Sequence, residues 1–300
     1  MIKPPYLKPG DKVGILSTAR KVDASDLKDA LALLESWNLE AVLGASIGVS
    51  EDQYAGSDSL RREDLQRMLN DPSIKAIWCA KGGYGTVRII DDLDFFKFVK
   101  DPKWIVGYSD VTVLHSHLNN MGFETLHAAM AKGIEVNSAS TKKSLKDALF
   151  GKALKYHVNA HPLNRMGKVV GEMIGGNLSI LYSLCGSNST VTTEGKILFI
   201  EDLDEYLYHI DRMMMNLKRN GWLKNLNGLV VGGLTGMRDN SVPFGKNAQK
   251  IVLDTVAEYK YPVCFDFPAG HLDDNRALIL GRKATLDVTE SGVKLDFAEV

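Results

Sequence analysis

Cysteine is scarce in this sequence, and its few copies lie far apart. Cys79, Cys185 and Cys264 are the only cysteines in 300 residues, and they form no CxxC pair. Three scattered cysteines cannot build the framework of a disulfide-rich protein, and they lack the spacing of a zinc site. We therefore expect a protein of a reducing compartment, most simply the cytoplasm.

Long apolar runs and an excess of one charge are also missing. No run approaches the roughly 18–20 apolar residues that span a bilayer, and residues 1–6 lack the apolar core of a signal peptide. With 36 basic and 37 acidic side chains the net charge is -1, so no overall field attracts nucleic acid. From these two absences we expect that the protein binds neither a membrane nor a nucleic acid.

What is present is the composition of an ordinary globular protein. Hydrophobic residues make up 45% of the chain and charged residues 24%, which excludes a disordered or fibrous protein. A length of 300 residues corresponds to two domains of common size.

The first 150 residues alternate short apolar runs with helical patterns. Residues 12–16, 76–80 and 104–106 are typical of buried strands, and residues 60–69 have the apolar spacing of a helix. Such alternation predicts a doubly wound, mostly parallel α/β sheet with helices on both faces, a Rossmann-like domain over residues 1–150. In such sheets ligands bind at the carboxyl ends of the strands.

The rest of the chain has a different pattern. Residues 151–168 are polar and predict a linker, and residues 169–300 predict a smaller, β-rich α+β domain. Strand-like runs at 196–200 and 229–231 enclose a helical pattern, and the chain ends in short, turn-separated runs typical of antiparallel structure.

Gly107-Tyr108-Ser109-Asp110 directly follows a predicted strand and precedes a predicted helix. A strand, a sharp turn with serine and a helix N-terminus form the geometry of a nucleophile elbow, where N–H groups can bind a developing oxyanion. Val111 stands where the G-x-S-x-G pattern has its second glycine. Alternatively Ser109 or Asp110 simply caps the helix, which the local string alone favours.

Residues 81–85 (KGGYG) form a glycine-rich loop after another predicted strand, before a helical stretch expected near Thr86. Glycine lets the backbone approach a ligand and aim N–H groups at an anion. The loop is neither a Walker loop nor a G-x-G-x-x-G fingerprint. A phosphate cradle, an oxyanion hole and a plain tight turn all remain open.

Two further residues are candidates for acid–base chemistry. Glu201 ends a predicted strand and opens a dense acidic stretch, which could bind a divalent cation but more often decorates a helix start. His271 lies in a Pro/Gly-shaped loop that suits a general base, whereas His115, His117 and His209 have no metal-ligand spacing.

Taken together, these segments resemble the serine LD-carboxypeptidase family, which also contains the microcin C self-immunity peptidases. The resemblance runs nearly end to end and depends on the order and spacing of its motifs. In chain order they are residues 7–13 (LKPGDKV), 81–85 (KGGYG), 107–110 (GYSD), 171–177 (GEMIGGN), 199–202 (FIED), 228–233 (GLVVGG), 266–275 (DFPAGHLDDN) and 280–281 (LG).

The resemblance implies a catalytic Ser-Glu-His set at Ser109, Glu201 and His271, with the backbone N–H groups of Gly83 and Asp110 as oxyanion donors. It also implies an active site between a nucleophile domain and a β-rich domain, a homodimer and a peptide or muropeptide substrate. No metal or other cofactor is expected, because the acidic stretch after Ile200 lacks a histidine or cysteine partner at ligand spacing. Three basic side chains are candidates for binding the substrate carboxylate: Arg88, Arg212 and Arg238.

By resemblance, the expected activity is release of the terminal D-Ala from muropeptide tetrapeptides during peptidoglycan recycling. One alternative within the family is hydrolysis of microcin C-like peptidyl nucleotides. From a different class, the alternative is a non-catalytic two-domain ligand-binding protein.

Overall fold

The computed structural model describes residues 1–298, so the last two positions of the predicted domain 169–300 lie outside the described residues. Thirteen strands form two sheets over the described range. In chain order the strands are β1 (Lys12–Leu16), β2 (Glu40–Leu43), β3 (Ile74–Cys79), β4 (Trp104–Gly107), β5 (Thr125–His127), β6 (Lys155–Val158), β7 (Gly167–Asn177), β8 (Ile197–Leu203), β9 (Gly228–Thr235), β10 (Val263–Cys264), β11 (Leu278–Leu280), β12 (Lys283–Thr289) and β13 (Gly292–Phe297).

Eight α-helices connect these strands within residues 1–298, together with short 3₁₀ turns. None of these helices has the length and apolar character needed to cross a lipid bilayer. The helices are α1 (Lys28–Ser36), α2 (Asp58–Asn70), α3 (Phe96–Lys100), α4 (Thr112–Asn120), α5 (Ala139–Leu149), α6 (Leu178–Ser183), α7 (Leu207–Arg219) and α8 (Ala248–Thr255).

The first sheet is parallel over five strands, in the order β2-β1-β3-β4-β5, and β11 adds an antiparallel edge beside β5. The strand sequences KVGIL and IKAIWC are apolar and almost wholly buried, as a sheet covered on both faces requires. The strand order reverses direction between β1 and β3, which makes the carboxyl ends of these two strands the expected ligand site.

The second sheet is mixed, in the order β10-β9-β8-β7-β12-β13-β6. Strands β7 to β10 pair in parallel, whereas β12, β13 and β6 continue the sheet with antiparallel pairs. Helix α7 covers the parallel part with an apolar face spaced i, i+3, i+4 and i+7: Ile210, Met213, Met214 and Leu217, all buried. Together the two sheets confirm the predicted fold class.

The two halves of the chain interlock through β11. After His271 the chain crosses to the first sheet and pairs with β5, before it returns to the second sheet as β12. Beside this crossing the buried guanidinium of Arg282 donates to both carboxylate oxygens of Glu124, at 2.5 to 3.1 Å. Of three clusters of buried apolar residues within residues 1–298, one contains side chains of both halves, among them Val106 and Phe199.

Some local expectations differ from the structure. The segment 151–168, which was expected to be a polar linker, contains strand β6. This strand forms by pairing with β13, which comes from the far end of the chain. The stretch after the glycine-rich loop forms 3₁₀ turns, Thr86–Arg88 and Ile90–Asp92, in place of the expected helix. Strand β8 also continues through Leu203, so Glu201 lies inside the strand and not at its end.

Candidate active site

A cavity of about 760 Å³ lies where the parallel strands of both sheets end. The first sheet contributes the loops after β1, β3 and β4, and the second sheet contributes the segments after β7 and β8. Ser109, Gly83 and His271, three of the residues singled out from the sequence, line this one cavity. A cleft between two structural units is a common place for a small-molecule site.

Ser109 lies in a sharp turn directly after β4. Its backbone has a φ of 60°, in the left-handed region that non-glycine residues rarely adopt, and it opens a short 3₁₀ turn that leads into α4. Gly82 faces the serine so closely that a Cβ there would lie 3.1 Å from Ser109 Oγ. This strained strand–turn–helix geometry is that of a nucleophile elbow.

The capping alternative fails in the structure. The N-cap residues of the 3₁₀ turn and of α4 are Tyr108 and Val111, and neither makes a side-chain cap hydrogen bond. The carboxylate of Asp110 is buried and accepts the backbone N–H of Thr86 at 2.9 Å. Burial raises the pKa of Asp110, although the hydrogen bonds from Thr86 oppose the shift. Asp110 therefore ties the elbow to the glycine-rich loop.

The glycine-rich loop is held from its other side by Arg61. This guanidinium is fully buried and donates to the carbonyls of Thr18 and Gly85, at 2.6 and 3.0 Å. Gly83 has a φ of 108°, and among residues 1–298 no backbone carbonyl accepts its N–H. The loop thus holds a free N–H group beside Ser109, which an oxyanion hole requires.

Glu201 and His271 form a close pair next to the elbow. The Nδ1–H of His271 donates to Oε2 of the fully buried Glu201 at 2.6 Å, and the His271 backbone N–H reaches the same oxygen at 3.1 Å. The ring of His271 packs edge-on against Tyr108, with ring centroids 4.7 Å apart. Burial opposes the charge on His271, but the hydrogen bond and charge of Glu201 outweigh it and raise the His271 pKa.

Gly270 makes the close approach of this pair possible. Its φ is 104°, and a Cβ at this position would lie 2.6 Å from Oε2 of Glu201. The Gly270 N–H donates to Oδ1 of the buried Asn275 at 2.9 Å, which fixes the loop around His271. Gly270 is therefore explained by its close packing against the Glu201 carboxylate, and Asn275 by its hydrogen bond to the Gly270 N–H.

Asn177 and Asp202, which the sequence analysis did not single out, join the halves behind the cavity. The Asn177 backbone N–H donates to Oγ1 of Thr112 at 3.0 Å, across the boundary between the two sheets. Its side chain donates to Asp202 at 3.0 Å, and burial together with the neighbouring Glu201 raises the pKa of Asp202 to about 7. Asn177 is the last residue of β7 and Asp202 the last but one of β8, so both lie at the carboxyl ends of parallel strands, which is the signal that could have identified them.

Arg20 is a further cavity residue that the sequence analysis missed. Of the three arginines considered for the substrate carboxylate, Arg88 pairs with Asp58 away from the cavity and Arg212 lines a separate groove. Arg238 lines the cavity but is paired with Asp204 at 2.8 Å. Arg20 also lines it, in the loop after β1, where the strand order reverses.

The acidic stretch after Ile200 was also weighed as a cation site. Within residues 1–298 no group of three or more histidine, cysteine or carboxylate side chains is arranged to hold a metal ion. Asp202 instead accepts hydrogen bonds from Asn177 and from the backbone N–H of Ser179, and Glu205 contacts His209 at 2.6 Å. These carboxylates are thus engaged by protein donors.

Comparison with known proteins identifies the family of this chain. The LD-carboxypeptidase N-terminal domain matches residues 13–128, and the LD-carboxypeptidase C-terminal domain matches residues 170–286. A protein of Bacillus subtilis (strain 168) named "Probable murein peptide carboxypeptidase" is 36% identical over 298 residues, which cover 96% of this chain and 92% of the relative.

Solved structures agree with this result. The muramoyltetrapeptide carboxypeptidase from Oxalobacter formigenes has a TM-score of 0.86 and 26% identity, and the match covers 96% of this chain and 98% of that one. The microcin C7 self immunity protein MccF has a TM-score of 0.87 at 20% identity and covers 98% of both chains, which shows a shared fold alone. The chain therefore belongs to the LD-carboxypeptidase family.

Proposed function

We propose that this protein is a serine carboxypeptidase that releases the terminal D-Ala from muropeptide tetrapeptides. The observation that carries the proposal is one cavity in which Ser109 occupies an elbow beside a histidine backed by a buried carboxylate. The printed names of the Bacillus subtilis relative and of the Oxalobacter formigenes structure support the same class of substrate.

In the proposed mechanism Ser109 is the nucleophile and His271 the general base. A serine hydroxyl attacks well only when a base takes its proton. Glu201 occupies Nδ1 of His271, so Nε2 of the neutral ring is left as the acceptor for that proton. The buried charge of Glu201 then stabilises the imidazolium, without taking the proton itself.

The attack forms a tetrahedral oxyanion, which the N–H groups of Gly83 and Asp110 would bind. A donor of this kind contributes roughly 3–4 kcal/mol to the stability of the transition state. Breakdown of the intermediate passes the proton from His271 to the leaving D-Ala amine and leaves an acyl group on Ser109. His271 next takes a proton from the water whose oxygen attacks the acyl carbon, and it returns that proton to the Ser109 oxygen as the bond between this oxygen and the acyl carbon breaks.

The proposal is tested by incubating the protein with the tetrapeptide L-Ala-D-Glu-diaminopimelate-D-Ala, or its lysine form, and measuring free D-Ala. We expect rapid release of D-Ala, and far slower cleavage of a peptide ending in L-Ala or in D-Ala-D-Ala. A pocket shaped for one configuration misplaces the scissile carbon of the others, and small misplacements are costly. Equal cleavage of all three peptides, or cleavage only of a peptidyl nucleotide, would overturn the proposal.

The matched variant is Ser109→Ala. We expect a folded protein whose turnover falls by roughly 10⁴–10⁶-fold, because the nucleophile is lost while the cavity is kept. Substrate binding by the variant, measured by calorimetry, shows that the site is intact. Turnover close to that of the wild type would exclude Ser109 as the nucleophile.

We further propose that the protein acts as a homodimer in a reducing cytoplasm. Burial raises the pKa of the Cys79 and Cys264 thiols to about 12, which keeps both side chains in the unreactive thiol form.

Size-exclusion chromatography with light scattering tests the dimer, and a mass of a single chain at working concentration would contradict it.

A further inference from the structure

The cavity is lined by both basic and acidic side chains, and two of the basic ones form no ion pair with a protein carboxylate among residues 1–298. Four basic side chains line it: Arg20, Lys81, Lys132 and Arg238. Two of them are paired, Lys132 with Asp26 at 2.6 Å and Arg238 with Asp204 at 2.8 Å. Across residues 1–298, neither Arg20 nor Lys81 has a carboxylate within ion-pair distance. An unpaired cation in a substrate cavity indicates that the substrate supplies the anion.

Arg20 lies directly against the proposed oxyanion hole. A Cβ at Gly83 would be 2.5 Å from Cδ and 2.6 Å from Nε of Arg20, so the arginine stem crosses the face of this glycine. The backbone of Arg20 is fixed at both of its polar groups. Its N–H donates to the carbonyl of Gly82 at 3.4 Å, and its carbonyl accepts the Ser17 hydroxyl at 2.5 Å.

The covalent geometry of a carboxypeptidase substrate places its carboxylate near this point. The terminal carboxylate belongs to the residue that follows the scissile carbonyl, so the two carbons are separated by only about 3–4 Å. An oxyanion bound at Gly83 therefore brings the carboxylate within reach of a guanidinium that lies over the same glycine. Both groups sit at the reversal of strand order between β1 and β3.

We propose that Arg20 binds the terminal carboxylate of the substrate and so restricts the enzyme to free C-termini. Its planar fork can donate two parallel hydrogen bonds to a carboxylate, which the ammonium of Lys81 cannot do. Lys81 adds charge from the next loop, where burial and the neighbouring Lys132 and Arg20 lower its pKa. This inference rests on the proposed function.

The test compares the tetrapeptide as a free acid with its C-terminal amide. In the wild type we expect kcat/KM to be higher for the acid, because the amide loses a charge-assisted contact. Arg20→Gln lowers kcat/KM for the acid by about 10- to 100-fold and leaves that for the amide within about twofold. Arg20→Lys is expected to retain part of the preference. Arg212→Gln, on a separate groove, is the matched control and keeps the full preference.

A structural role for Arg20 predicts a different pattern. If the arginine merely supports the Gly83 loop, Arg20→Gln lowers kcat/KM equally for acid and amide, which overturns the inference. Unchanged preference for the acid in Arg20→Gln overturns it as well.

A binding measurement separates this inference from the proposed function. Ser109→Ala and the double variant Ser109→Ala/Arg20→Gln are titrated with the acid and the amide by calorimetry. The inference requires that the single variant bind the acid more tightly and that the double variant lose this preference. Equal affinity of Ser109→Ala for acid and amide contradicts it. Absence of D-Ala release by the wild type contradicts the proposed function alone.

Discussion

Glu201 is a fully buried carboxylate in direct contact with His271. Its Oε2 accepts two donors from His271, while its Oε1 has no hydrogen-bond partner among the described residues. Asp202 follows it immediately and is also buried, and two adjacent buried carboxylates repel each other. Their combined negative charge favours the protonated form of His271.

This arrangement predicts the acidic side of the pH–rate profile. Since the pKa of His271 is raised above 6.5, kcat/KM should fall as the pH drops through a midpoint above 6.5. Glu201→Gln removes the negative acceptor, so the midpoint moves to lower pH and turnover falls, although less than in His271→Ala. A profile of kcat/KM from pH 5 to 9 provides the measurement.

The control for this profile is Asp266→Asn, which alters a carboxylate 3.4 Å from His161, outside the cavity. It should leave the midpoint unchanged. A midpoint that stays in place in Glu201→Gln, or a profile flat between about pH 5 and 8, would exclude His271 as a base oriented by Glu201.

At the scale of elements, the contact between β7 and α4 fixes the position of the two sheets relative to each other at the site. Gly176 has a φ of 141°, and a Cβ there would collide with the side chain of Thr112 in the first turn of α4. Thr112 in turn accepts the N–H of Asn177 at 3.0 Å. Gly176, the second glycine of the GEMIGGN motif, is therefore the contact surface for the helix that follows Ser109, whereas Gly175 packs against the backbone of Phe199 in β8.

Gly176→Ala should weaken both stability and activity. Backbone strain and overpacking together are expected to lower the free energy of unfolding by about 2–4 kcal/mol, and α4, which follows Ser109, must shift away from β7. Gly186→Ala is the control, since its φ is 84° but no atom lies within 4 Å of an added Cβ. Urea denaturation and D-Ala release measure the two effects. Equal losses in both variants would show that the contact with Thr112 carries no weight.

The elements best predicted from the sequence are those whose stabilising contacts are local. The runs 12–16, 76–80 and 104–106 correspond to β1, β3 and β4, because a strand buried on both faces needs consecutive apolar residues. Strand β6 was not predicted, since the strand with which it pairs, β13, lies far along the chain. Pairing with a distant strand leaves no local signal.

The difference between local and distant contacts also decides which residues of the site could be predicted. Ser109 and Gly83 lie in loops with recognisable glycine patterns, so the sequence could point to them. The contact between Glu201 and His271 joins β8 to the loop before β11, and only the resemblance to a family brought these two residues together in advance. Arg20 follows β1 without any motif, and its place in the cavity depends on strand order, which the sequence does not display.

At the scale of the whole molecule, strand β11 links the two halves of the chain. It extends the first sheet, one cluster of buried apolar side chains contains residues of both halves, and the ion pair of Arg282 with Glu124 is buried at the crossing. A buried ion pair is costly to break from one side, because the remaining charge is left without a partner. The halves should therefore lose their structure together.

Urea denaturation followed by tryptophan fluorescence should show one transition. Trp78 and Trp104 report on the first sheet and Trp222 on the second, and their signals should coincide. Arg282→Met is expected to lower the free energy of unfolding by about 3–5 kcal/mol. The double variant Arg282→Met/Glu124→Leu should recover most of this loss, since neither charge remains. Two separate transitions in the wild type would contradict a single unit.

The crossing of β11 also affects when the protein can first become active. During synthesis the proposed nucleophile, Ser109, leaves the ribosome long before His271, and β11 follows His271 closely. A growing chain therefore carries a serine without its base, in a sheet that still lacks an edge strand. Hydrolytic activity should begin abruptly, when the last part of the chain emerges and β11 docks beside β5. Until that moment the nascent chain should hydrolyse no peptide, because the proposed nucleophile lacks its base.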